Sequence, residues 1–352
     1  MKILVINCGS SSIKYKLFDM PRERQVQKGI IEHIAEAGSK IKDHYSGLKI
    51  ILRKVDSVSC VGHRVVHGAE KFQKPVLIDN QVIKKIKECM AIAPLHNPAN
   101  LAGILACKKL LPGKRQVAVF DTAFHHTLPD YAYIYGLPYE YYKRYRMRKY
   151  GFHGTSHEYV AGEAARILKR PLQRLKIITC HLGNGCSITA VEKGKSIDTS
   201  MGFTPLEGLV MGTRCGDIDP ALVISIMHKK RLDIHSVDEL LNKTSGLKGI
   251  SGISNDMRVL GSKARRGNKR CKLAIDIFVY RIKKYIGAYT AIMGGVDAIV
   301  FTAGIGENQR KIRERICRGL FLHLNKKPKI LVVPTNEELM IARQTYQLIR
   351  RK

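Results

Sequence analysis

The chain has no tryptophan, no cysteine pair at C-x-x-C spacing and no low-complexity stretch. Its apolar runs, such as KILVIN, AIVFTAG and KILVVP, fall well short of the roughly 20 residues that span a bilayer. The first residues carry one lysine and reach polar Asn7 too soon for a secretory leader, so no signal peptide is expected. Nine cysteines are scattered singly, which excludes a disulfide framework or zinc ribbon and suits a reducing cytoplasm. Acidic residues are scarce: 29 Asp and Glu stand against 61 Lys and Arg, a formal charge of +32. That excess is spread over nearly every segment (KRYRMRK, SKARRGNKR, RKIRERICR, LIRRK), and only YEYYKRYRMRKYGF interleaves it with aromatics. Dispersed charge gives non-specific attraction to polyanions, and specific nucleic-acid binding is not expected.

What is present is regular alternation. Strand-like runs (KILVIN, IKYKLFD, VSCVGHRVV, QVAVFD, KIITCH, SITAV, DAIVFTAG, KILVVP) alternate with helical ones through 352 residues, which predicts an α/β architecture with more than one core. Helices are expected to open at Asn97-Pro98 and Asp219-Pro220, and at a capping box formed by Thr155 and Glu158 that leads to a stop at Pro171. A long one-sided helix is expected over residues 272–293, and a last one over NEELMIARQTYQLIR. The opening hairpin, KILVINCGSSSIKYKLFD, has an echo at 176–191, KIITCHLGNGCSITAV. Each reads strand, Gly/Ser/Asn turn, strand. Two such turns suggest a duplicated domain whose copies each offer a backbone-lined turn to one ligand.

Neither turn is a P-loop, which needs G-x-x-x-x-G-K-[ST] running into a helix. Gly194-Lys195-Ser196 has Thr189 where the first glycine belongs, and it reads as a hairpin turn. AIVFTAGIGENQ carries Gly304 and Gly306 but Gln309 at the third position, and no acidic residue follows at the spacing of a dinucleotide fingerprint. What survives is a turn where glycine lets backbone approach a nucleotide. His63/His67 and His153/His157 have the i, i+4 spacing of zinc ligands, yet glycines flank both pairs and no H-E-x-x-H occurs. Hydrogen bonding in packed turns explains most of them as well, and His125 and His126 are read the same way. Arg64 in VGHRVVHG and Arg214 in MGTRCGD stand among Val, Gly, Met and Cys, the surroundings of a guanidinium poised over an anion. Asp121 and Glu337 are the expected buried-site carboxylates, reaching magnesium directly or through water.

Ten motifs in order, NCGSSSIKYKLFD, GHRVVHG, APLHNP, VFDTAFH, YGFHGTSH, HLGNGCS, DTSMGFTPLEGLVMGTRCGDIDP, SGISNDMR, FTAGIGEN and VPTNEEL, resemble the acetate kinases over almost the whole chain. The resemblance implies two ribonuclease-H-like, actin-like ATPase domains with a nucleotide and substrate cleft between them. Residues 1–125 with 339–352 would form one, and 126–338 the other. It implies reversible transfer of phosphate from ATP to acetate, giving acetyl phosphate and ADP for acetyl-CoA synthesis, by a cytoplasmic homodimer that needs Mg²⁺ or Mn²⁺. Alternatives are a kinase for propionate or another short-chain fatty acid, and a non-catalytic actin- or chaperone-like nucleotide switch that binds polyanions.

Carried over by position, Asn7 and Glu337 match metal-associated residues, and Lys14 matches an ATP-contacting lysine. His181, Leu182, Gly183, Asn184 and Gly185 match the second phosphate turn. Asp256, Met257 and Arg258, with Gly304, Ile305, Gly306, Glu307 and Asn308, match the adenosine pocket. Arg64 matches the carboxylate clamp, His153 and Arg214 the groups around the phosphoryl in flight, and Asp121 the family's catalytic aspartate. Because acetate is already ionised at pH 7, Asp121 is read as an orienting or metal-shell group instead of a base. Val66, Leu95, Phe152 and Pro205 match the methyl pocket, and valine at 66 favours acetate over propionate by one methylene, about 1–3 kcal/mol. Three departures from the family stand out: segments apparently missing between about 20 and 55 and between 308 and 332, Ala69 in place of a second glycine, and the basic surface.

Overall fold

The computed structural model describes residues 1–94, 96–321 and 327–351. These form two compact units, one of residues 1–126, 154–159 and 336–352, the other of 127–153 and 160–335.

In the first unit, strands β1 (Lys2–Cys8), β2 (Ile13–Asp19), β3 (Arg24–Ile31), β4 (Cys60–Val65), β5 (Val76–Leu77) and β6 (Arg115–Phe120) form one sheet in the order β3-β2-β1-β4-β6-β5. In the second, β7 (Lys176–Leu182), β8 (Cys186–Glu192), β9 (Lys195–Thr199), β10 (Ala298–Thr302) and β11 (Lys329–Val332) give the order β11-β10-β7-β8-β9. Leaving the two-residue edge strand β5 aside, the sheets are the same: an antiparallel meander of three, then two strands parallel to the first. The echo between the two Gly/Ser turns is therefore a duplication of topology.

The first sheet is buried on both faces, as its near-continuous apolar strands require. Alternate residues of β1 go opposite ways. Leu4 and Ile6 pack with Leu48, Ile51, Ala106 and Cys107 of helices α1 (His44–Lys54) and α2 (Asn97–Leu110). Ile3 and Val5 face Leu339, Ile341 and Ile349 of the C-terminal helix, whose range is Glu337–Arg350. The second unit carries helices α3 (Gly154–Leu168, begun at the first unit's margin), α4 (Pro220–Lys230), α5 (Met257–Arg265), α6 (Lys269–Ile292), α7 (Ala303–Asn308) and α8 (Arg310–Cys317); the C-terminal helix is α9. Helix α6 buries Ala274, Phe278, Ile282, Ile286 and Tyr289, the one-sided stripe expected from its sequence.

One helix starts elsewhere than expected, and another opens at Asn97-Pro98 as expected but without an asparagine cap. Helix α3 begins at Gly154, and Thr155 lies inside it; its hydroxyl donates to Asp121 (3.1 Å) in place of capping the helix. Glu158, the other half of the expected box, instead accepts from Gln344 (2.8 Å). Likewise Asn97 does not cap α2: its side chain brackets the backbone of His67, accepting from its N–H (3.1 Å) and donating to its carbonyl (2.9 Å). Where a better tertiary partner exists, the short polar side chain takes it in place of the helix end.

Burial pushes the Glu158 carboxyl up from its ordinary 4.5 to about 7, with the Gln344 hydrogen bond pulling weakly the other way. The folded state then holds a proton that the unfolded state has released, so stability is greatest below about 4.5 and falls as pH rises through 7. Glu158→Gln removes the ionisation but keeps a hydrogen bond to Gln344. Thermal melts should show the variant level with wild type near pH 5 and about 2–5 °C above it at pH 8.

Candidate active site

The first unit gathers Asn7, Arg64, Asp121, Thr155 and Glu337. Arg64, near the end of β4, lays its fork on Asp121: Nε donates to Oδ1 at 3.1 Å and Nη2 to Oδ2 at 2.5 Å. Its Nη1 donates to Asn7 Oδ1 at 3.3 Å. Asp121 follows β6 and is fully buried. It is fixed further by the Thr155 hydroxyl, while its carbonyl receives the N–H of Gly154 (2.9 Å). Burial opposes the charge on Arg64, but Asp121 and Glu337 beside it more than offset this and raise its pKa. Half-buried Glu337, at the start of α9, is pushed up to about 7 by burial; Arg64 lowers it and Asp121 and Glu338 raise it.

Asn7, Asp121 and Glu337 offer amide and carboxylate oxygens, the hard donors that Mg²⁺ or Mn²⁺ takes. A carboxyl as reluctant to ionise as Glu337 is one that a divalent cation would restore to its charged form, so these residues fit such an ion. Among the described residues there is no group of three or more His, Cys, Asp and Glu that could hold a metal ion. His63 instead bonds Gln116 at 2.8 Å, and His67 Nδ1 accepts the N–H of Ala69 at 2.9 Å.

The APLHNP segment explains how the loop after β4 is held. Besides Asn97 on His67, Asn100 of α2 accepts the Val66 N–H (2.9 Å) and donates to the Cys8 carbonyl (2.8 Å). Two asparagines one helical turn apart thus tie α2 to the ends of β1 and β4, and Val66 is buried as a result. Leu95 lies outside the described residues. Ala69 adopts φ +49°, a left-handed conformation that costs a residue with a Cβ about 1–2 kcal/mol. Ala69→Gly should raise stability by about 0.5–1 kcal/mol, the relief being partly offset by unfolded-state entropy. Urea midpoints at unchanged slope measure it.

Lys14 faces Asn7 across the first hairpin, which Gly9 N–H to Ser12 carbonyl closes at 2.8 Å; the lysine is exposed. The second hairpin is closed by Gly183 N–H to Gly185 carbonyl (3.1 Å), between Leu182 and Cys186. Around it stand His153, His181 and Arg214. The rings of His153 and His181 stack with centroids 4.2 Å apart, and His153 Nδ1 hydrogen-bonds Ser187 Oγ at 2.9 Å. A Cβ on Gly185 would lie 3.4 Å from both Arg214 Nη1 and His153 Cε1. His153 itself holds φ +56°, a strained conformation where the chain enters α3. Arg214 donates Nη1 to the Pro205 carbonyl (3.2 Å) and lies 3.8 Å from Met211 sulfur; no carboxylate among the described residues pairs with it. Burial alone lowers its pKa. Phe152 is buried just before His153.

Arg214 and Pro205 lie on the long loop before α4, and its glycines have definite reasons. A Cβ at Gly212 would fall 2.1 Å from Asn184 Oδ1, and Gly216, at φ +71°, packs against the Leu209 backbone. Asp217 ties the loop down by accepting from Gly208 N–H (2.9 Å) and Tyr285 hydroxyl (2.8 Å), and Glu207 accepts from the Tyr135 hydroxyl.

Within the second unit a cavity of about 520 Å³ is lined by Gly183, Asn184, Asp256, Met257, Arg258, Gly304, Ile305 and Asn308, all expected there, and by Asn255 and Gln309, which were not. Five other residues assigned to this region do not line it. His181 and Leu182 precede the turn and Gly185 ends it. Gly306 is buried. Nor does Glu307: it accepts from the N–H groups of Ala303 (2.8 Å) and Thr335 (3.2 Å) and so fixes the strand-to-helix turn. Asn255, Ser187, Thr155 and the α2 asparagines carry only generic polar character in sequence; their partners lie up to 92 residues away, beyond local pattern.

Residues 2–343 match the family model described as the acetokinase family. The chain belongs to the acetokinase family. The acetate kinase of Halothermothrix orenii is 53% identical over 396 aligned positions, covering 99% of this chain and 100% of the relative. With 352 residues here, at least 44 of those positions fall opposite gaps, as expected of a shortened acetokinase. The acetate kinase structure from Porphyromonas gingivalis superposes with TM-score 0.95 at 43% identity, covering 99% of each chain. A propionate kinase from Francisella tularensis reaches TM-score 0.90 at 44% identity, covering 97% of this chain and 98% of that one. The paired sheets are thus the two actin-like ATPase domains of the acetokinases.

Proposed function

We propose that the chain is an ATP-dependent acetate kinase making acetyl phosphate and ADP reversibly. One observation carries the reading beyond family membership: Arg214, a partly buried guanidinium with no carboxylate partner among the described residues, stands beside the Gly183–Gly185 turn. A desolvated unpaired cation at a glycine turn is a site for phosphoryl oxygens.

In this reaction an acetate oxygen forms a bond to the γ-phosphorus as the bond to the β–γ bridging oxygen breaks, and ADP leaves with that electron pair. Acetate is ionised at neutral pH, so no proton is removed. We assign Arg64, oriented by Asp121, to receive the carboxylate. Arg214 and His153 stabilise the equatorial oxygens, and the turns at residues 9–12 and 183–185 with Lys14 seat the phosphates. Val66, Phe152, Pro205 and Leu95 are assigned to the methyl group, and the 520 Å³ cavity to adenosine. Asn7, Asp121 and Glu337 would hold magnesium or manganese, whose positive charge would offset that of the phosphates.

Acetate is preferred to propionate because Val66 is buried and its backbone N–H is held by Asn100, which keeps its branched side chain at that position. Trapping the acyl phosphate as its hydroxamate, with acetate, propionate and butyrate compared, tests this. Acetate should lead propionate by about 10-fold in kcat/KM; a lead for propionate would make this a propionate kinase. A cytoplasmic setting fits nine cysteines that are all free. Among the described residues, no helix is long and apolar enough to cross a membrane. A homodimer fits α4, which buries none of its residues and leaves Leu222 49% and Ile224 57% exposed.

A further inference from the structure

The turn over residues 202–207 touches both groups placed around the phosphoryl. At its start the Gly202 carbonyl accepts the N–H groups of Tyr150 (3.0 Å) and Gly151 (3.2 Å), just before His153. Further on, the Pro205 carbonyl is the one oxygen to which Arg214 donates among the described residues (3.2 Å). Yet Phe203 to Glu207 make no backbone-to-backbone hydrogen bond among the described residues. Side chains hold them instead. The Tyr135 hydroxyl accepts the Phe203 N–H at 2.9 Å and donates to Glu207 Oε2. Glu207 is steadied in turn by Lys149, whose Nζ lies 3.8 Å from it and 3.3 Å from Asp198. A Cβ at Gly202 would collide with both Glu207 Oε2 and Tyr135 Oη, so the two side chains lie directly on the turn.

Burial, and the Glu207 carboxylate beside it, raise the pKa of the Tyr135 hydroxyl, which therefore stays a donor through the neutral range. A hydroxyl that accepts at one end of a turn and donates at the other fixes the two ends against each other. Pro205 stands between those two grips, so the direction of its carbonyl follows from them. We propose that Tyr135 is a positioning residue for phosphoryl transfer: its hydroxyl, holding Phe203 and Glu207, sets the Pro205 carbonyl that aims Arg214. The inference rests on reading Arg214 as the group that stabilises the phosphoryl in transit.

Tyr135→Phe deletes the hydroxyl and keeps the ring. Steady-state kinetics of wild type, Tyr135→Phe, Arg214→Ala and the double variant, each run well below its melting temperature, form a double-mutant cycle. Tyr135→Phe should lower kcat about 10- to 100-fold, the loss expected when a reacting-centre group is misplaced by roughly 1 Å. KM for acetate and ATP should change less than about threefold, because Arg214 acts on the transition state. In the Arg214→Ala background the same change should cost less than about threefold, since no guanidinium is left to aim. A side chain that only supported the fold would lower the melting temperature and leave kcat of the folded protein unchanged. If Tyr135→Phe does not fold, Glu207→Ala serves, with the same expectations. A kcat within about threefold of wild type in Tyr135→Phe, with Arg214→Ala impaired, would overturn this inference alone. Equal losses in both backgrounds would overturn the route through Arg214. Near-normal kcat in Arg214→Ala would overturn the reading of Arg214 and this inference with it.

Discussion

Alanine in place of Arg214 is expected to lower kcat about 10³-fold or more, with KM for acetate and ATP moving less than about fivefold. An arginine that stabilises a phosphoryl group in transit is worth roughly 10³–10⁵ in rate. Its benefit falls on the transition state, so kcat bears the loss. The fold should not suffer. Arg214 gives up only a 3.2 Å bond to a carbonyl and a contact with sulfur, and it loses no counter-ion. Burying an unpaired cation is costly, so the melting temperature of the variant should equal or exceed that of wild type. Arg214→Lys restores charge without the planar fork and should recover only part of the rate. A stable, correctly folded variant with near-normal kcat would remove Arg214 from the chemistry.

Asparagine in place of Asp121 is expected to lower kcat/KM for acetate about 10²-fold and to leave the shape of its pH profile unchanged. Asp121 accepts two bonds from Arg64 and one from Thr155, so it sets the direction of the guanidinium. Asparagine keeps one acceptor but turns a donor toward Arg64, and the fork loses its second anchor. KM for acetate should rise more than kcat falls, because the carboxylate clamp is misaimed in the ground state as well. If Asp121 were a general base, the variant would instead lose the acidic limb of the profile. If activity with excess magnesium stayed near wild type, Asp121 would have neither role.

Much of this was readable in the chain because its signals are local. Both hairpins announce themselves by alternation broken at Gly and Ser. The Gly194 turn was correctly separated from a P-loop, since Lys193 and Gly194 take φ +53° and +79° between β8 and β9. β3 escaped notice because it is an edge strand, RQVQKGII, whose alternating exposure leaves charged and polar residues facing water. The order of strands in each sheet was not legible, as it depends on pairings between distant segments. Side chains with two competing uses were misread for the same reason. Thr155 and Asn97 have the chemistry of helix caps and sit where caps belong, but Asp121 and the His67 backbone claim them. Ala69 stands out in sequence as a departure from a second glycine, and its φ of +49° is one that glycine would hold without strain. The surplus of positive charge remains outside the catalytic account.

The most direct measurement of the central claim is phosphorus NMR of the protein with acetate, MgATP and no trapping agent. The account predicts acetyl phosphate and ADP appearing in equal amounts, and ATP re-forming when acetyl phosphate is mixed with MgADP. ATP converted only to ADP and inorganic phosphate, or left unchanged with every short acid offered, would contradict it.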